Sequence, residues 1–328
     1  MHSGKRYTLK EFLIWTRRDI YKLFLIAIIP TLVYKCFDIK FIAIPWVPIA
    51  LIGTAAAFIV GFKNTQTYNR LWEARQIYGA IINSSRSLGM IVRDFIYVDK
   101  NIHQEIFNRH FAWLTALRFQ LREPRTWENM AKNYNSEYSR LYKIEERETK
   151  LEDELKKYLS REELEYILSK KNKATQIIAL QSKKIKELSE EGKIENFRYI
   201  EISKRLADLY DQQGKCERIK NFPYPRQFAS INLFFIWLFV LMLPFGMLGE
   251  FQKLGPDFVW LTIPFSVVVS WVFISMEKVG ESTENPFEGN PNDVPITAIS
   301  RTIEIDLRDM LDETNLPQPL TPINNILM

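Results

Sequence analysis

The chain has 328 residues, with 44 Lys and Arg against 39 Asp and Glu, a formal net charge of +5, two cysteines and three histidines. So small a positive excess carries no nucleic-acid signature, Cys36 and Cys216 are too far apart for a disulfide framework or zinc spacing, and His2, His103 and His110 form no metal-ligand pattern. Mean hydropathy is slightly negative only because it averages four nearly uncharged apolar blocks with a long, heavily charged middle.

In chain order, residues 8–26 predict an interfacial amphipathic helix: Phe12, Trp15, Ile20 and Leu23 form one side, and Lys10, Arg17 and Arg18 lie elsewhere. It leads into a short apolar block between Lys22 and Lys35, interrupted by Pro30. Snorkelling lysines extend that block into a first membrane span. Phe41 to Phe62 is uncharged and long enough to cross a hydrocarbon layer of ~30 Å as a helix. Two stripes recur along it every four residues: Gly53, Ala57 and Gly61 on one face, and Thr54, Phe58 and Phe62 about 100° further round. Ordinary core packing is one reading. The other is that small residues let helices approach closely while the Thr/Phe stripe lines something.

After Phe62 the composition turns polar and basic (Lys63, Arg70, Arg75, Arg86, Arg93), with Leu71, Ile77, Ile81, Leu88 and Ile91 at helical spacing. Residues 100–220 read as helical and soluble. One helix ends at Pro124, and Leu141, Ile144, Leu151, Leu155 and Leu159 form a heptad-like face. Ser160 to Glu163 makes a capping box, Glu190 to Lys193 a turn, and Ile194 to Gln213 a returning helix before Gly214. A solvated hairpin or short coiled coil is the expectation. Phe228–Leu248 and Phe258–Met276 are two further uncharged spans. A turn-rich loop at 284–295 then precedes a short helix, Thr297–Leu311.

The basic segments fall on one side of the spans, which places both termini and the middle in the cytoplasm of a four-span protein. The domains expected are 1–62 (interfacial helix, spans one and two), 63–227 (cytosolic helices), 228–276 (spans three and four) and 277–328 (cytosolic loop and helix). No nucleotide-loop, zincin or nucleophile-elbow motif is present, so no enzyme is expected. The three clear spans hold no ionisable residue, which argues against a proton-coupled carrier. A helix-lined pore fits better, and one chain has too few helices to enclose it, so closed symmetric assembly follows. A non-conducting membrane scaffold that binds partners through its cytosolic helices is the alternative.

Three separated segments carry a family resemblance: GFKNTQTYNRLWEARQIYGAIINSSRSL (61–88), EEGKIENFRYIEISKRLADLYDQQGKCERIKNFPYP (190–225) and ENPFEGNPNDVP (284–295). In this order they resemble the bacterial branch of the bestrophin family. That resemblance implies an all-α homopentameric channel for chloride or other small anions (cation conduction remaining open), multi-pass in the bacterial inner membrane. It implies a hydrophobic neck at Thr54, Phe58 and Phe62 and a cytosolic aperture at Ile177 or Ile178. It also implies a calcium clasp at the loop after Asn285-Pro286-Phe287. Here that loop keeps only Glu288 and Asp293 as carboxylates, so calcium binding is expected to be weak and no other cofactor is implied. Thr54 stands where an aliphatic residue would be typical, and a hydroxyl there is expected to wet that end of the neck.

Overall fold

A computed structural model describes residues 1–328, the side chain of Asn133 excepted. Its helices are α1 (Leu9–Cys36), α2 (Trp46–Phe95), α3 (Lys100–Arg122), α4 (Asn133–Tyr138), α5 (Glu145–Glu148), α6 (Leu151–Leu155), α7 (Arg161–Leu168), α8 (Lys173–Glu190), α9 (Asn196–Asn221), α10 (Arg226–Gln252), α11 (Thr262–Thr283) and α12 (Ile296–Asp309). The fold is all-α, with only isolated β-bridges near the termini among the described residues. Two units emerge: Lys5–Arg70 with Pro223–Glu284, and Met1–Gly4 with Leu71–Phe222 and Asn285–Met328. Helix α2 runs unbroken from one into the other, so the change of composition at Lys63 is not a break in secondary structure.

The first unit is a four-helix assembly. Leu23 of α1, Val60 of α2, Ile236 and Val240 of α10 and Ile274 of α11 share one core. Helix α1 starts from a capping box in which the Thr8 amide donates to Glu11 (2.7 Å) and the Glu11 amide donates to the Thr8 hydroxyl (3.2 Å). The amphipathic stretch and the first apolar block are therefore one helix that passes through Pro30. Two glycines set the approach of α2 to α10: a Cβ on Gly53 would lie 2.6 Å from the Phe239 ring, and one on Gly246 would lie 2.5 Å from Ile49 Cδ1. Three segments are long and apolar enough to cross a membrane: Lys40–Phe95, Arg226–Gln252 and Pro256–Thr283.

The second unit overturns the expectation of a solvated hairpin. Helix α3 is its axis, buried on every side from Ile106 to Leu117 apart from Asn108, and several of its polar side chains find partners. The Trp113 indole donates to Gln213 (2.8 Å), His110 meets the Ser85 hydroxyl (2.9 Å), and Arg109 pairs with Glu163 (2.6 Å). Burial without a charged neighbour lowers the His110 pKa to about 3, so its ring is neutral at physiological pH. Around α3 pack Ile77, Ile81 and Leu88 of α2, Ile167 of α7, Ile185 of α8, Ile202 of α9 and Ile303 of α12. The heptad-like run is not a coiled coil. It is cut into α4 to α6 and short turns, and Leu141 is exposed while Ile144 and Leu155 are buried. Ser160 does cap α7, accepting from the Glu163 amide, and Gly192 turns the chain at φ 74°. Helix α9 continues through Gly214 to Asn221, because one interior glycine costs only about 1 kcal/mol and its neighbours favour helix.

Candidate pore-lining face and its charged flanks

Helix α2 has one covered and one uncovered side. Ile49, Gly53, Ala56, Val60, Lys63 and Thr67, spaced three or four apart, are buried against the chain's own helices. The opposite side carries Thr54, Phe58 and Phe62, all exposed, with Phe58 77% and Phe62 48% accessible. Only 17% of the apolar window of this segment is buried within the chain, against 44% and 33% for the other two spans. A stripe of phenyl rings so little covered by its own protomer is available to lipid or to another copy. The Phe62 ring lies 6.5 Å from that of Phe228, which limits its rotation.

The Thr54 hydroxyl donates to the Ala50 carbonyl at 2.9 Å. Its proton is thus used within the helix, and the group offers only an acceptor and a methyl outward. The wetting expected of a free hydroxyl is reduced. The small-residue stripe divides as well. Gly53 packs on α10, whereas Ala57 is exposed and Gly61 has no atom within 4 Å of a would-be Cβ. Within the protomer the close-packed stripe is Gly53, Ala56 and Val60, one step round from Gly53, Ala57 and Gly61.

The spans as bounded in the sequence hold no charge, but a buried pair stands one residue beyond two of them. Lys63 and Glu277 form a buried ion pair, 3% and 5% exposed, and Asn232 of α10 donates to the same carboxylate. Close by, the Asn64 amide donates to the Met276 carbonyl (3.0 Å) and Lys278 pairs with Asp19. These groups are paired side chains joining helices, not an open relay. Helical phase was the available signal. Lys63 continues the buried 56–60–67 face, and Glu277 continues the buried Ser266–Ser270–Ile274 face of α11.

In the second unit the 285–293 loop buries Asn285, Phe287, Glu288, Asn290 and Asp293. Asp293 Oδ2 accepts from the amides of Gly289 (2.7 Å) and Asn290 (3.0 Å), with Arg122 3.6 Å away. Glu288 accepts from the Asn129 amide (2.8 Å) and from the Asn290 side chain. Arg122 donates to the carbonyls of Phe287 (3.0 Å) and Val294 (3.4 Å), Arg147 to that of Glu288 (2.8 Å), and the Tyr142 hydroxyl to that of Gly289 (2.7 Å). Burial raises the Asp293 pKa to about 6 and that of Glu288 well above the usual range. The Asp293 Oδ1 and Asn290 Oδ1 atoms have no partner. Even so, the Arg122 guanidinium 3.6 Å from Asp293 opposes a divalent cation at these oxygens. The donors that close this loop are the protein's own. Accordingly, adding millimolar calcium or EGTA to the purified protein is expected to leave its melting temperature unchanged. A calcium-dependent rise in that temperature would overturn this account.

Ile177 and Ile178 cannot line an opening. They are 0% and 8% exposed and sit in the core around α3, so the aperture expected there is corrected. Phe197, in the first turn of α9, is the most exposed large apolar side chain of this unit at 86%. Periodicity in the middle region missed it because a single ring at a helix start belongs to no stripe.

Comparison with known proteins places this geometry. The family described as "Bacterial/Fungal Bestrophin protein" matches residues 16–309. The voltage-dependent anion channel-forming protein YneE of Escherichia coli K12 is 29% identical over 301 residues, covering 92% of this chain and 87% of that protein. The protein of the same name from Salmonella typhi is 28% identical over 290 residues, 88% and 83% of the two chains. The crystal structure of a bacterial bestrophin homolog from Klebsiella pneumoniae superposes with a TM-score of 0.78 at 26% identity, covering 91% of this chain and 99% of that one.

Proposed function

The chain belongs to the bacterial and fungal bestrophin family, and from that premise we propose that it forms a homopentameric, anion-conducting pore in the bacterial inner membrane, lined at its neck by Thr54, Phe58 and Phe62. The family is one of membrane channels and not of enzymes. The observation that carries the reading is the uncovered Phe58/Phe62 face of α2, which the protomer leaves for copies of itself. Closed rotational symmetry turns one such stripe into rings around an axis. Ala57 and Gly61, open in the protomer, are then the surface on which the adjacent copy packs. Helix α1 counts as the fourth span, since Leu23 joins the common core, and both termini lie on the cytoplasmic side. Phe197 takes the place of Ile177 and Ile178 as the cytosolic aperture, being exposed where they are not.

Small inorganic anions are the permeant class. Ring edges are electropositive, so five phenyls packed edge-on towards the axis stabilise an anion that has lost part of its water. The relatives named as anion channels support the same preference. The test is purified protein in planar bilayers under a tenfold KCl gradient. The reversal potential is expected close to the chloride value, about 59 mV in magnitude for a singly charged ion, and the detergent-solubilised particle is expected to have the mass of five chains. An electrically silent monomer would favour the scaffold reading instead.

A further inference from the structure

The second unit holds a cavity of about 490 Å³ that the pore does not use, open to solvent at the end of α3. That volume lies in the range of small-molecule sites, about 300–1,000 Å³. Its charged lining is one-sided: Arg122, Arg125, Arg147, Lys171 and Lys173 face only Glu123 and Glu146. Each carboxylate is engaged in part, through one Glu146 oxygen and through Glu123 beside Arg125, while the second Glu146 oxygen accepts no hydrogen bond. Glu146 accepts from Arg118 (2.6 Å) and from the Thr297 hydroxyl (2.5 Å), and Glu123 lies 3.4 Å from Arg125. Arg122 is almost wholly buried; its Nε makes no hydrogen bond and has only a loose ion pair, at 3.9 Å, with the Glu146 oxygen that itself accepts none, so the one carboxylate near it only partly offsets the guanidinium. Asn172 and Lys173 put the amino end of the 18-residue α8 into the same wall, and its dipole adds positive potential.

We infer that this cavity is a binding site for a soluble polyphosphate anion, a compound with two or more phosphate groups. A single inorganic anion would leave most of the volume and most of the cations unused. A chain of phosphates can reach the arginine forks and the lysines together, and arginine matches phosphate oxygens bidentately. The same site is wired to the loop described above. Arg122 and Arg147 both line the cavity and both hold carbonyls of residues 287–294. An anion that neutralises these guanidiniums reduces their mutual repulsion and fixes them, so its binding stiffens the loop.

The test uses the full-length protein in detergent, titrated calorimetrically with sodium tripolyphosphate, ATP and adenosine. Tripolyphosphate and ATP are expected to compete for one site per chain, to weaken steeply as salt rises from about 0.05 to 0.5 M, and to leave adenosine without measurable binding. Lys171→Glu with Lys173→Glu should weaken tripolyphosphate about tenfold or more. The control Lys183→Glu with Lys186→Glu, on the exposed face of α8, should not. Backbone hydrogen exchange at residues 286–295 should slow when tripolyphosphate is bound. The inference is overturned if neither phosphate compound binds at millimolar concentration. It is equally overturned if the control pair weakens binding as much as the cavity pair, or if binding leaves the exchange of the loop unchanged. None of these readouts requires the protein to conduct.

Discussion

Replacing Phe58 and Phe62 together by alanine is expected to raise single-channel conductance and open probability several-fold or more. Both side chains project from the uncovered side of α2, so the change removes the proposed pore lining and not protomer core. An apolar ring with narrow radius is costly for an ion because it strips hydration without giving ligands back, and a small increase in radius lets water return. Lowering such a barrier by only about 1.4 kcal/mol speeds passage about tenfold. Single replacements should give smaller effects, Phe58 the larger of the two. Phe62 rests against Phe228, and that ring stays beside the vacated position when Phe62 is lost. Thr54→Ala should change conduction little, because its hydroxyl proton is already given to the Ala50 carbonyl. Unchanged currents in the double variant, with its melting temperature and oligomeric mass intact, would remove these residues from the neck.

The second large effect concerns the fold. Lys63→Met is expected to destabilise the protein by about 3–5 kcal/mol, the usual consequence of leaving one member of a buried ion pair alone. Glu277 would keep only its hydrogen bond from Asn232, in surroundings where it is 5% exposed. In the detergent-solubilised protein this should lower the melting temperature by at least about 5 °C. Glu277→Gln added to Lys63→Met should recover much of the loss, since the glutamine oxygen still accepts from Asn232 while the uncompensated charge disappears. A Lys63→Met protein that melts with the parent would mean that water reaches the pair and screens it. A double variant worse than the single would mean that the pair is held for its geometry and not for its charge balance.

The contrast between these two sites marks how far the chain could be read without coordinates. Phe58 and Phe62 declared themselves through a four-residue period in an uncharged run, a local property. Lys63 stands one position after Phe62 and reads as the first residue of a solvated basic segment. Only the presence of Glu277, 214 positions away, makes it a buried one. Ile177 and Ile178 failed for the opposite reason. Two adjacent isoleucines in a charged helix look equally able to face water or core, and what settles the matter is α3 lying against α8. Phe197 had no period to betray it.

The sequence by itself determined the all-α class, the apolar runs long enough to cross a bilayer, the cap at Ser160, and the stripe at Thr54, Phe58 and Phe62. All of these follow from neighbours within a few residues, where helix geometry links spacing to direction. The tertiary structure alone decided which side of α2 is covered, where the buried charges find partners, and that the 285–293 loop is closed by arginine, tyrosine and backbone amides. Those outcomes depend on groups far apart in the chain. Burial and Coulomb energy are set by distances in space, and a helical period tells which residues share a face without telling what lies opposite it.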